Sequence, residues 1–363
     1  MSNKYKVAII GAGFIANVAH IPAWRSLACD VEIVALVDVR KETAEETAKR
    51  HSIPYWFDNV EEMLDKIKPD IVSVTTPNRF HKECTTAALE AGAHVMCEKP
   101  LTVKEEDGRE MYATARRCGK MLFVSQTARF GAGTLAAKAL YDEGYVGTPY
   151  FGEANIVRRR GVPRWGFFHM KEHNEGGPGY DLGVHALDTI LWIMGSPSVV
   201  SVSGKAYSEI EKQKEFLVDV FTDDVPPGAF IPRKYSGGEF DVEDFMTAFI
   251  RLENNITLNM KVSWALNAPE EANTTYIAGT KGGLRISPTP EIYTTAAGYM
   301  INIVPKFSVV DTPFYGHHRA AAHFLRAIRG EEELIVTEKE VLNVLRILDL
   351  LYKSDEKNFE TSI

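Results

Sequence analysis

The chain is 363 residues long and carries 41 Lys and Arg against 49 Asp and Glu, a formal charge of −8, which is the wrong sign for a protein whose main partner is a polyanion. At roughly 150 residues per domain, two domains are expected. Apolar runs such as 33–37 and 190–194 end far short of the ~20 residues that cross a bilayer, so no membrane span is expected.

The amino terminus passes from Met1 to Lys6 straight into a short apolar stretch, without the roughly 7–15-residue apolar region of a signal peptide. The first 124 residues alternate β-branched runs with helical patterns, as a doubly wound parallel sheet does. Strands are expected over 6–10, 31–37, 71–75, 94–97 and 121–125, with helices over 41–51, 81–91 and 103–118. All four cysteines (Cys29, Cys84, Cys97, Cys118) lie in this stretch and no two are spaced Cys-x-x-Cys, which suits thiols in a reducing compartment and a cytoplasmic location.

Gly11-Ala12-Gly13-Phe14-Ile15-Ala16 follows the first strand and opens a helix, the G-x-G-x-x-G/A pattern in the context that dinucleotide binding requires. Gly11 permits the tight turn, Gly13 lets the backbone approach a pyrophosphate, and Phe14 and Ile15 start the helix whose amides face the phosphates. Asp38 ends the second strand about 20 residues past the motif, where an acidic residue meets the ribose hydroxyls. A carboxylate there opposes a 2′-phosphate, since like charges ~4 Å apart at an effective dielectric of ~20 repel by about 4 kcal/mol. NAD is therefore expected rather than NADP, with Arg40 and Lys41 the nearby cations that weaken the preference.

Thr75-Thr76-Pro77-Asn78, then His81, close the third of these strands, and Glu98-Lys99-Pro100 the fourth. Ligands of open α/β sheets bind at the carboxyl ends of strands, so Thr76, Asn78, His81, Glu98 and Lys99 should edge the cofactor crevice. Lys99, held between a strand end and a proline-restricted turn, is the candidate for chemistry. Asn78 as a helix cap and His81 as a helix-surface residue are the plainer alternatives.

Past residue 125 the spacing predicts a helix near 134–143, a loop rich in Arg and Gly, and an apolar helix over 180–194. From 197 to 304 the pattern is mostly strands, including 241–252, 256–264 and 271–278. Residues 213–238, with Asp-Asp, Pro-Pro and Gly-Gly pairs, read as a loop excursion. Two helices, 315–329 and 338–353, close the chain, the second placed to pack back toward the first domain. The expected division is 1–124, a Rossmann cofactor domain, and 125–363, a substrate and oligomerisation domain. The second is α+β, an open, mostly antiparallel or mixed sheet covered by helices on one face. Its other face should meet a partner copy. His169-Met-Lys-Glu-His173 spells H-x-x-E-H, but its flanks argue for a loop or a single helical turn, and no metal is expected.

These motifs, together with Gly176-Gly-Pro-Gly-Tyr-Asp181-Leu-Gly-Val-His185-Ala-Leu-Asp188 and the closing helix pair, resemble the glucose-fructose oxidoreductase, inositol dehydrogenase and rhizopine-catabolism (Gfo/Idh/MocA) family along nearly the whole chain. The resemblance implies Lys99, Asp181 and His185 as the catalytic group, and homodimers or homotetramers built through the second sheet. Independently, positions 181, 185 and 188 fall at i, i+4 and i+7 of a buried helix and are expected to share one stripe. A buried hydrogen-bonded tie between domains is the alternative use of that stripe.

The reaction these readings suggest is hydride transfer between a nicotinamide and a secondary alcohol or ketone of a sugar, inositol or related polyol. His185 takes the hydroxyl proton, Lys99 stabilises the developing oxygen charge and shares the relay, and Asp181 orients the hydroxyl and His185. Arg158 and Trp165, in the cationic and aromatic loop ahead of the catalytic stretch, are expected to line the substrate pocket. Arg129, His317 and His318 are further pocket candidates. Two other classes fit the same chain: an NAD-dependent glycosidase acting through transient oxidation, and a non-catalytic NAD or sugar sensor, against which the presence of Lys99, Asp181 and His185 argues.

Overall fold

A computed structural model describes residues 4–163, 166–210, 237–307 and 313–362. The first region contains β1 (Tyr5–Ile10), a wide π-helical turn (Ala16–His20) leading into α1 (Ile21–Arg25), β2 (Val31–Val37), α2 (Lys41–Arg50), β3 (Tyr55–Phe57) and α3 (Val60–Ile67). It continues through β4 (Ile71–Val74), α4 (His81–Glu90), β5 (His94–Cys97), α5 (Glu105–Cys118) and β6 (Leu122–Val124). All six strands are parallel in the order β3-β2-β1-β4-β5-β6, a Rossmann sheet. The order reverses between β1 and β4, which opens the crevice at their carboxyl ends. Every residue of β4 is buried, as a strand covered on both faces requires. β3 and α3 are additions to the expected elements. A three-residue strand is too short for periodicity to reveal, and α3 is announced only by its cap, with Asn59 accepting from the Glu62 amide at 2.8 Å. The helix expected to run smoothly on from Ala16 instead widens into a π turn just ahead of Pro22, which has no N–H to continue an α-helical ladder.

The second region begins with α6 (Ala132–Asp142), β7 (Pro149–Val157) and α7 (Lys171–Asn174), then a second π turn (Gly179–Gly183) that runs into α8 (Val184–Ile193). The sheet is completed by β8 (Val199–Tyr207), β9 (Phe245–Leu252), β10 (Thr257–Ser263), β11 (Ala272–Gly279), β12 (Gly282–Ser287), β13 (Glu291–Ala296) and β14 (Tyr299–Ile303). α9 (Tyr315–Ile328), α10 (Glu338–Lys357) and the edge strand β15 (Thr361–Ser362) follow. Nine strands lie in the order β14-β13-β12-β11-β7-β10-β9-β8-β15. β7 and β10 pair parallel and the other neighbours antiparallel. The strands alternate as one-sided burial demands: in β9, Met246, Ala248, Ile250 and Leu252 face the core while Phe249 and Arg251 face out. Of the stretch read as a loop excursion, 213–236 lies outside the described residues.

α10 joins the two cores. Val341, Leu342 and Leu345 pack with Phe324 of α9 into the Rossmann core, while Val344, Ile347, Leu348 and Leu351 belong to the core beneath the large sheet. Each such fully buried aliphatic side chain contributes about 1.5–3 kcal/mol, so the closing helix ties the two cores together. No described helix is long and apolar enough to cross a membrane.

Candidate active site

A cavity of about 1200 Å³ opens where β1 and β4 diverge and runs to the start of α8. Its cofactor wall is backbone. Gly11 sits at φ +96°, and a Cβ on it would lie 2.8 Å from the carbonyl carbon and oxygen of Thr75, so both conformation and crowding demand glycine there. A Cβ on Gly13 would meet nothing within 4 Å, which leaves open space beside the helix start. The Asp38 carboxylate accepts from the Ala12 amide (Oδ2, 2.9 Å) and the Arg40 amide (Oδ1, 2.9 Å), which fixes it at the mouth of the loop. Asn17, which the motif leaves unspecified, donates through Nδ2 to the carbonyls of Ala12 (3.0 Å) and Gly13 (2.9 Å) and so locks the turn from behind. Phe14, Ile15, Asp38, Thr76 and Asn78 all line this wall.

The opposite wall is side chains. Lys99, at the end of β5, donates through Nζ to Asp181 Oδ1 (2.9 Å) and to the Asp181 carbonyl (3.0 Å). Trp264, just past β10, donates its indole N–H to Asp181 Oδ2 at 2.9 Å. Burial opposes the charge on Asp181, but the Lys99 and Arg158 cations and these hydrogen bonds outweigh it and hold the carboxyl at about 2. Each carboxylate oxygen thus holds one partner, Lys99 on Oδ1 and Trp264 on Oδ2. His185, one helical turn on, is pushed down to about 3, first by burial and then by the Lys99 cation, against the pull of Asp181 and Glu98. It is neutral at working pH. Its Nδ1 is buried with no hydrogen-bond partner, which leaves Nε2 as the nitrogen for a ligand.

Glu98, beside Lys99, faces the cavity with His317. His20 Nε2 lies 2.8 Å from Glu98 Oε1 and His317 Nε2 3.6 Å from it. Burial penalises the Glu98 charge, yet the two histidines hold its carboxyl well below the ordinary range. Behind His20, the Ser73 hydroxyl lies 3.2 Å from Nδ1 and accepts from the Trp24 indole at 2.7 Å. Among the described residues, the ligand-type atoms of His20, Glu98 and His317 converge within 4.8 Å of one another. In the H-x-x-E-H stretch, α7 is a single turn, and His173 lines the cavity against the Phe167 ring at 4.2 Å.

Four candidates stand elsewhere. His81 is buried between the carbonyls of Pro100 (Nδ1, 2.8 Å) and Thr76 (Nε2, 2.9 Å), where it ties two strand ends together behind the crevice. Arg129 does not reach the pocket. It is buried, paired to Asp188 through Nε (2.8 Å) and Nη2 (2.6 Å) and to Glu340 through Nη1 (2.8 Å), a tie that joins the short 3₁₀ turn Thr127–Phe130 to α8 and α10. Asp188, three residues on from His185 in the same α-helix, is turned to Arg129 and does not line the cavity. His318 stacks on Tyr315, off the cavity. Trp165 lies outside the described residues. Arg158 does line the cavity, as do Phe80, Phe168, Tyr180 and Phe314, aromatics that no motif marks.

The glycine turn, the open space at Gly13 and the anchored Asp38 fit a dinucleotide: Gly11 to Ile15 would hold the pyrophosphate and Asp38 the ribose. A Rossmann crevice of this kind, facing a lysine, a carboxylate and a neutral imidazole, is the site of a nicotinamide-dependent oxidoreductase. Comparison with known proteins agrees. Residues 5–126 match the oxidoreductase family with an NAD-binding Rossmann fold, and residues 134–285 the GFO/IDH/MocA C-terminal domain. The chain is 35% identical over 98% of its length to D-glucoside 3-dehydrogenase of Escherichia coli K12, covering 96% of that protein. It is 25% identical over 97% of its length to scyllo-inositol 2-dehydrogenase (NADP(+)) IolW of Bacillus subtilis, covering 94% of it. Among solved structures, levoglucosan dehydrogenase in complex with NADH and levoglucosan superposes with a TM-score of 0.80 at 19% identity, over 99% of this chain and 100% of that one. The chain belongs to the Gfo/Idh/MocA family of oxidoreductases.

Proposed function

We propose that the protein moves hydride between NAD and a secondary alcohol or ketone of a sugar, inositol or related polyol, with a D-glucoside the first substrate to test. The observation that carries the reading is the Lys99–Asp181 pair set beside the neutral His185 at the head of the crevice. The similarity to D-glucoside 3-dehydrogenase supports the substrate class, and the Asp38 carboxylate supports NAD over NADP.

The nicotinamide, when bound, accepts or returns the hydride. The protein's own groups manage the oxygen and its proton. Lys99 directs an ammonium N–H at the substrate oxygen and stabilises charge developing there. Asp181 keeps Lys99 aimed, and the acceptor sites left on its carboxylate can orient the substrate hydroxyl. His185 takes the hydroxyl proton on Nε2 in oxidation and returns it in reduction, a transfer commonly worth about 10²–10⁴-fold. Arg158 offers a cation to further hydroxyls, and Tyr180 and Phe168 give apolar surface to a sugar face. The same reading assigns residues 1–124 to the cofactor and 125–363 to substrate binding and assembly, as a cytoplasmic homodimer or homotetramer packed through the outer face of the large sheet.

A panel of glucosides, free sugars and inositols, each with NAD and NADP and scored by kcat/KM, tests this. NADH formation with a glucoside or polyol, and a lower kcat/KM with NADP, is the expected result. Aglycone release without NADH would replace it with the glycosidase reading, and cofactor binding with no turnover of any member with the sensor reading.

A further inference from the structure

Glu243 is a buried carboxylate that the chemistry above does not use. It lies just ahead of β9, and its Oε1 accepts three neutral donors: the amides of Gly177 (2.9 Å) and Gly179 (3.2 Å) and the Tyr352 hydroxyl (2.6 Å). The two amides belong to the start of the π turn, so a carboxylate from a distant segment caps the positive end of the helix that carries the site. The fit is close. A Cβ on Gly177 would lie 2.2 Å from the Glu243 carbonyl oxygen, and one on Gly176 or Gly179 would lie 2.6 Å from the Tyr352 hydroxyl. The Tyr180 and Tyr352 rings stack at 4.6 Å. From the cofactor side, Asn78 Nδ2 donates to the Asn174 carbonyl (2.9 Å) and Asn174 Nδ2 to that of Gly176 (3.2 Å). The Asp181 amide then donates to Gly177 O at 3.1 Å.

We propose that Glu243 and Tyr352 are positioning residues: they fix the π turn in the one phase that points Asp181 at Lys99 and Trp264 while His185 faces the cavity. This rests on the assignment of Lys99, Asp181 and His185 as the reacting group. Neither residue touches substrate or cofactor in this scheme, so its signature is a change in kcat with cofactor binding intact.

The test uses Glu243→Ala, Glu243→Gln and Tyr352→Phe in the full chain, with kcat, KM, NADH affinity by fluorescence and amide hydrogen exchange over 176–186. The alanine variant should lose about 10²-fold in kcat, as a misplacement of about 1 Å does, with KM and NADH affinity near wild type and faster exchange confined to the turn. Glu243→Gln should recover kcat to within about fivefold, because its amide oxygen accepts the same three donors. Tyr352→Phe, which removes one donor and keeps the ring, should fall between them and carries the test if Glu243→Ala does not fold. Unchanged kcat and exchange in Tyr352→Phe and Glu243→Ala would overturn the proposal, as would a glutamine variant no better than alanine. Should the wild type turn over no sugar, hydrogen exchange still decides the positioning claim while the substrate reading fails by itself.

Discussion

The two walls of the cavity are built in opposite ways. The cofactor wall is built around one contiguous stretch of backbone, Gly11 to Ile15, joined by Asp38, Thr76 and Asn78 past the ends of the two flanking strands. The catalytic wall gathers side chains from the end of β5, the second π turn, the end of β10 and α9, none of them neighbours in sequence. A wall of the first kind tolerates side-chain change and fails when its backbone is altered. A wall of the second kind fails one side chain at a time, and each failure propagates through the hydrogen bond that aims its neighbour.

The largest expected effects sharpen that contrast. Lys99→Ala or His185→Ala should lower kcat by about 10²–10⁴-fold, while NADH affinity measured by fluorescence stays near wild type. Loss of cofactor binding in either would show the walls are not separable. Next comes the buried tie of Arg129 to Asp188 and Glu340. Arg129→Ala leaves Asp188 buried without its partner and should cost about 3–5 kcal/mol in urea unfolding, with kcat of the folded enzyme little changed. A fall in kcat at unchanged stability would return Arg129 to the pocket. On the cofactor wall, Asp38→Ser should move the NADP to NAD ratio of kcat/KM up by at least about tenfold, since the repulsion removed is several kcal/mol by simple Coulomb arithmetic. No change would place the selecting group elsewhere, with Arg40 first.

The last expected effect concerns pH. Burial, then the Lys99 cation, hold the folded-state pKa of His185 at about 3, below its ordinary 6.5. The unfolded chain therefore takes up a proton there as pH falls below 6.5, and the folded chain does not until about 3. The stability contribution is full above 6.5 and declines through that window by up to about 1.4 kcal/mol per pH unit. His51 and His94, each lowered to about 4 chiefly by burial, act in the same direction. The slope of Tm against pH should be shallower in His185→Ala than in wild type; identical slopes would mean that His185 is protonated in the fold. No acid limb near 6.5 should appear in kcat/KM from this group.

These regions were unevenly legible in the sequence. The parallel sheet was legible because each of its buried strands is a short apolar run bounded by a turn, and β2 and β5 span the residues their β-branched runs indicate. The glycine motif and Asp38 were legible because a tight turn and a strand end are local. Trp264 and Glu243 were not, since nothing beside either residue reveals a partner more than sixty positions away. The partners of Arg129 were illegible for the same reason, whereas the pairing of Asp188 is the buried hydrogen-bonded use that its apolar helix also offered.

Local sequence by itself determined the cofactor turn, the fold of the first region and the residue types available for chemistry, because backbone conformation and one-sided burial are set over a few neighbours. Only the tertiary structure decided which of those residues face one another. That choice depends on the phase of the π turn after Gly176 and on the closure of α10 across both cores, and both are fixed by packing between segments far apart in the chain.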